Sequence, residues 1–118
     1  MSFTTEKHDH ENCVVITLKG RILEAESIEA VIAMVQNDLD AGSRCFIMDM
    51  AGVELLNSTG IGMLVRTVKA VNQSGGKVVF SGVPPKIQEL LQIIKLNAVM
   101  DIASNVQEAT QILAKSAQ

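Results

Sequence analysis

The sequence predicts an α/β domain built on a mostly parallel sheet of four or five strands, with about four helices. Short β-branched or apolar runs alternate with segments whose apolar residues recur every three to four positions. The runs Cys45-Phe46-Ile47-Met48 and Lys77-Val78-Val79-Phe80 lack polar alternation, as strands covered on both faces require. Stop or start signals separate the segments: Ala41-Gly42, Gly75-Gly76 and Pro84-Pro85. Strands joined by helices pair in parallel through right-handed crossovers.

Each element follows in order. Thr4–His8 is expected as an edge strand, and Cys13–Leu18 as a strand ended by Lys19-Gly20. From Glu26 to Leu39, residues Ile28, Val31, Ile32, Val35 and Leu39 form one helical face. The apolar-rich Arg44–Met50 run supplies a central strand, with Asp49 at its end. After a polar turn at Asn57–Gly62, residues Ile61, Leu64, Val65, Val68 and Val71 fall at helical spacing. Lys77–Phe80 is a further strand. Pro84-Pro85 pre-sets a helix with Ile87, Leu90, Leu91 and Ile94 inward. Val99–Ile102 reads as a short last strand. Ser104 with Gln107 forms a capping-box pattern for a final helix carrying Val106, Ala109, Ile112 and Leu113. No repeat, low-complexity tract or linker intervenes, so residues 1–118 are expected to form one domain.

Composition removes several function classes. With 118 residues, 47% hydrophobic and 19% charged, the chain can bury a core and is not a disordered tail. No apolar run approaches the roughly 18–20 residues of a membrane span, and no insertion in a membrane is expected. The polar start, Met1–His8, is unlike a secretory leader. Cys13 and Cys45 form no CxxC pair and sit among apolar residues, so buried, reduced thiols and a cytoplasmic location are expected. A net charge of −3, with neither Trp nor Tyr, argues against nucleic acid.

The chemistry is concentrated in Asn57-Ser58-Thr59-Gly60-Ile61-Gly62. This turn places hydroxyls where a strand should meet a helix N-terminus, whose orphan N–H groups and positive dipole end accommodate a phosphate. Gly60-Ile61-Gly62 is not a dinucleotide fingerprint, because Val65 stands where its third glycine belongs. The glycines instead permit close approach, by a neighbouring element or by a partner. His8, His10, Asp9 and Glu11 read as a solvated segment rather than a metal site. Asp49 has no acid–base companion and is expected to bond to loop backbone. No catalytic constellation, cofactor site or metal site is therefore expected, and the chain is read as a non-enzyme. Met63, off the apolar stripe, is expected with Ile61 on an adaptable contact surface.

Asp49-Met50-Ala51-Gly52-Val53 together with Asn57–Leu64 closely resembles the signature of bacterial anti-sigma factor antagonists, the STAS-domain family. The similarity extends through Asn72–Lys77 and Pro85–Leu96 into Val99–Ile102, nearly the whole chain. It implies a partner switch. Ser58 occupies the phosphoacceptor position, with Thr59 the second candidate. A serine kinase that is also the anti-sigma factor would phosphorylate it, and a phosphatase would reset it. Unmodified, the domain would bind the kinase and so release a sigma factor, with Asn57, Thr59, Gly60, Ile61, Gly62 and Met63 lining the contact. Two positions differ from the family pattern: Asn57 stands where aspartate is usual, and Leu23-Glu24 follows the Gly20 turn where aspartate is common. They support a second reading, a non-phosphorylated interaction module such as a small subunit partnering a transporter ATPase.

Overall fold

The computed structural model describes residues 3–116; Met1, Ser2, Ala117 and Gln118, included in the expected domain, lie outside them. Strand β1 (Phe3–His10) leads into β2 (Cys13–Ile22), then α1 (Ala25–Asp40), β3 (Cys45–Leu56), α2 (Ser58–Gln73) and β4 (Lys77–Ser81). Helix α3 (Pro85–Ile93), a 3₁₀ turn (Leu96–Ala98), β5 (Asp101–Ala103) and α4 (Val106–Ser116) complete the order. The strands form one sheet in sequence order, β1-β2-β3-β4-β5. Only β1–β2 is antiparallel; β2, β3, β4 and β5 pair in parallel, as predicted. The β1–β2 hairpin turns through Glu11 (φ 48°) and Asn12 (φ 69°), the double positive-φ geometry that matches strand twist.

Strand alternation divides the core into two layers. Ile16, Leu18, Phe46, Met48 and Phe80 pack with Ile28, Val31 and Val35 of α1 and with Leu64 and Val71 of α2. Ile87 and Leu91 of α3 join the same cluster. On the opposite face Val15, Ile47 and Val79 meet Ala109 and Leu113 of α4. Arg66 of α2 pairs through both guanidinium nitrogens with the Glu29 carboxylate of α1. The hydrogen bond to Arg66 holds the Glu29 carboxyl below its ordinary value. The pair's contribution is thus present above the unfolded carboxylate range and is lost as pH falls through the folded value. Both side chains are well exposed, so the contribution is small.

Five expectations need correction. β2 does not end at Lys19-Gly20. Gly20 adopts φ 97°, register shifts flank it, and the strand continues to Ile22. β3 likewise runs past Asp49 to Leu56. Pairing with β4 stops at Asp49↔Ser81, but pairing with β2 continues through Leu56. Asp49 therefore marks a loss of one neighbour, not a strand end, and its carboxylate accepts from Ala51 N at 3.1 Å, the backbone role expected of it. Near the C-terminus, Val99 is exposed after the 3₁₀ turn and the last strand starts at Asp101. The final cap is shifted by one residue: Asn105 Oδ1 accepts from Glu108 N at 2.8 Å, and Glu108 Oε1 accepts from Ser104 N at 2.8 Å.

The cysteines are the fifth correction. Cys13 and Cys45 open the adjacent strands β2 and β3 and are joined in a disulfide, not held as reduced thiols. The following register pair, Val14↔Phe46, shows why: in-register parallel neighbours bring the two Cα atoms to 4.7 Å. Closing a loop with a sequence separation of 32 stabilises the fold by about 3–4 kcal/mol in the chain-entropy estimate.

Candidate functional site at the start of the second helix

Asn57 ends the connection from β3 and caps α2. Its backbone is extended (φ −104°, ψ −174°), and its Oδ1 accepts from Gly60 N at 3.0 Å. The other end of the amide is also engaged, since Nδ2 donates to the Leu23 carbonyl at 3.1 Å. An aspartate would keep the first bond and lose the second. Asn57 thus ties the start of α2 to the loop between β2 and α1. Leu23 takes part through its backbone carbonyl, which carries no side-chain signal in the sequence.

Ser58 is the first residue of α2 and Thr59 the second, and both are exposed. The first turn contains no acidic residue. Ile61 N donates to Asn57 O at 2.9 Å, and Gly60 N is taken by the cap. Among the described residues, no hydrogen bond engages the N–H groups of Ser58 or Thr59. They are two of the four orphan donors of a helix start. A negatively charged group on the Ser58 hydroxyl would meet open donors and the positive helix end rather than a competing carboxylate.

Gly60 and Gly62 perform different tasks. A β-carbon on Gly60 would stand 2.5 Å from Leu56 Cδ1 and 2.9 Å from Ile22 O, so this glycine lets α2 seat against the ends of β2 and β3. Gly60→Ala is expected to cost about 1–3 kcal/mol as the helix start shifts, read by urea unfolding. Gly62 meets nothing within 4 Å. It lies four residues beyond Ser58, on the same helical face, and leaves that face bare of side chain. Ile61 is half-buried and packs against the core edge.

Met63 does not belong to this surface. It is fully buried in the main core cluster. The inward stripe of α2 is Gly60, Met63, Leu64, Thr67 and Val71, rotated from the expected one because Gly60 and Thr67 do not read as apolar. Thr67 is accommodated by donating its hydroxyl to Met63 O at 2.9 Å. Leu55, 43% exposed and three residues before Ser58, was not anticipated as an exposed apolar group. Glu24, at the N-cap of α1, is exposed and makes no side-chain cap. His8 and His10 lie on β1, with His10 Nε2 at 3.4 Å from Glu11 Oε2.

Fold and site together give an α/β domain with an exposed hydroxyl at a helix N-terminus. A family model of the STAS domain matches residues 4–109, and the chain belongs to that family. It is 31% identical over 85 residues to the anti-sigma-B factor antagonist of Staphylococcus aureus, covering 72% of each chain. Among solved structures it superposes on an anti-sigma factor antagonist from Mycobacterium paratuberculosis with a TM-score of 0.82, at 18% identity, covering 96% of this chain and 95% of that one. The phosphorylated form of the Bacillus cell fate determinant SpoIIAA gives a TM-score of 0.71 at 19% identity, over 94% and 99% of the two chains.

Proposed function

We propose that this chain is an anti-sigma factor antagonist that binds a serine-kinase anti-sigma factor when unmodified and releases it when Ser58 is phosphorylated. Ser58 is the switch, and Thr59 the second candidate acceptor. Asn57, Thr59, Gly60, Ile61 and Gly62 form the contact region. A phosphatase returns the protein to its binding form. The chain acts by binding, without catalysis or a cofactor of its own; its cytoplasmic location rests on the antagonist role, since the Cys13–Cys45 disulfide removes the reduced-thiol argument for it. The observation that carries this reading is the exposed Ser58 hydroxyl at the first position of α2, beside two unengaged N–H groups and no first-turn acid. The antagonist names of the family relatives support it, as does the phosphorylated form in which the structural neighbour was solved.

Incubation with the cognate kinase and ATP, followed by phosphopeptide mapping, tests the acceptor. Phosphate is expected on Ser58 and is expected to vanish in Ser58→Ala. Undiminished labelling of that variant would remove Ser58 from the account. The second reading, an unphosphorylated module paired with a transporter ATPase, is favoured by one observation. The Asn57 amide spends its donor on Leu23 O, an internal tie that aspartate could not make. Stable capture of an ATPase subunit, with no phosphate uptake, would support it.

A further inference from the structure

The end of the sheet opposite Ser58 holds a second feature, unconnected with the switch. Ser58 stands two residues beyond the last residue of β3 and Cys45 is its first, so the two sites lie at opposite ends of a 12-residue strand, on the order of 30 Å apart. A cavity of about 330 Å³ opens there, and both Cys13 and Cys45 line it. Its volume is at the lower end of the range for small-molecule sites. Leu113 and Ala114 of α4 contribute apolar surface, and among the described residues Glu11 is the one charged lining group. The Thr110 hydroxyl at the rim is already committed to Val106 O at 2.9 Å.

The two sulfur residues differ in access. Cys13 is 4% exposed, whereas Cys45 is only half-buried. Thiol–disulfide exchange requires a thiolate to reach a sulfur, and its rate depends on which sulfur is reachable. A disulfide enclosed by core would be inert, whereas this one borders a space with room for a small reagent. Charge then selects among reagents. Glu11 presents a carboxylate whose side chain is 68% exposed and whose Oε2 lies 3.4 Å from His10 Nε2; the carboxylate repels anionic thiols and attracts those carrying an ammonium group.

We propose that Cys45 is a site of reversible S-thiolation by small amine-bearing thiols, seated in this cavity with their ammonium toward Glu11. The incoming thiolate attacks Cys45 Sγ and a new sulfur–sulfur bond forms. The Cys13–Cys45 bond breaks, and Cys13 leaves as a thiolate that takes a proton from water. The small thiol is oxidised and Cys13 is reduced, so no outside oxidant is required. In the reverse step the Cys13 thiolate attacks Cys45 Sγ and expels the aminothiol. Pairing in the sheet keeps Cys13 beside Cys45 throughout, so the bond can reform without refolding.

The test uses the folded, oxidised full chain. It is exposed in parallel to cysteamine and to mercaptoethanesulfonate at equal thiolate concentration, then quenched with N-ethylmaleimide, which also traps the freed Cys13 thiol. Intact-mass analysis and peptide mapping are expected to show the adduct on Cys45 and the maleimide on Cys13. Cysteamine is expected to react about two- to fivefold faster, the upper part of the range for one exposed ion pair. Glu11→Gln should bring the two rates together while leaving the site of modification unchanged. Reaction only in denaturant, an adduct on Cys13, or a rate ratio unaltered by Glu11→Gln would each overturn the proposal.

Discussion

Ser58→Asp is expected to weaken binding to the kinase-type partner by more than about a hundredfold, with a shift in thermal midpoint of no more than about 2 °C. The two halves of this expectation have separate causes. Within the domain, an acidic group at the first position of α2 faces the positive end of the helix and two open N–H donors, which stabilise it slightly. At the interface, the same charge must lose its water when a partner packs over the exposed face that includes Gly62. Burying an uncompensated charge costs several kcal/mol, and about 3 kcal/mol already exceeds a hundredfold in affinity. Phosphate, at about −1.5 to −2 charges, enlarges the effect. Isothermal titration against the partner, paired with thermal melts of the free variant, measures both halves. Equal affinities would remove local charge as the mechanism.

Met63→Ala is expected to do the reverse, lowering stability by about 2–5 kcal/mol through the cavity it leaves. Met63 is fully enclosed in the cluster that joins the sheet to α1, α2 and α3. For a domain whose total stability is on the order of 5–15 kcal/mol, that is a large fraction. Chemical denaturation should show the midpoint falling with little change in slope. Folded Met63→Ala should still accept phosphate, because the residue faces inward. A near-neutral effect on stability would contradict its burial and return it to the contact surface.

Met63 also shows where sequence periodicity loses resolution. Ile61, Leu64, Val65, Val68 and Val71 mark a stripe by hydrophobicity alone, yet the buried line runs through Gly60 and Thr67. A glycine needed for close approach and a threonine bonded to its own helix are invisible to such a count. The mostly parallel sheet and the stop of α2 before Gly75-Gly76 were legible because each rests on local chemistry, whereas the start of α2 at Ser58 lies inside what reads as a turn through Gly62. The lengths of β2 and β3 were not legible, because both depend on mutual pairing beyond Asp49. The Cys13–Cys45 bond was hidden for the same reason: register between strands 32 residues apart creates it. Within the site, the exposure of Ser58 and Thr59 followed from their place at a helix start, whereas the tie from Asn57 to Leu23 depends on how β2 meets α1.

The most direct measurement compares the enzymatically phosphorylated protein with its unmodified form, titrated against the same anti-sigma partner. The phosphorylated form should bind more than about a hundredfold more weakly, and it should unfold at nearly the same temperature. Indistinguishable affinities, or a loss of binding that merely tracks unfolding, would contradict a switch built on charge at the mouth of α2.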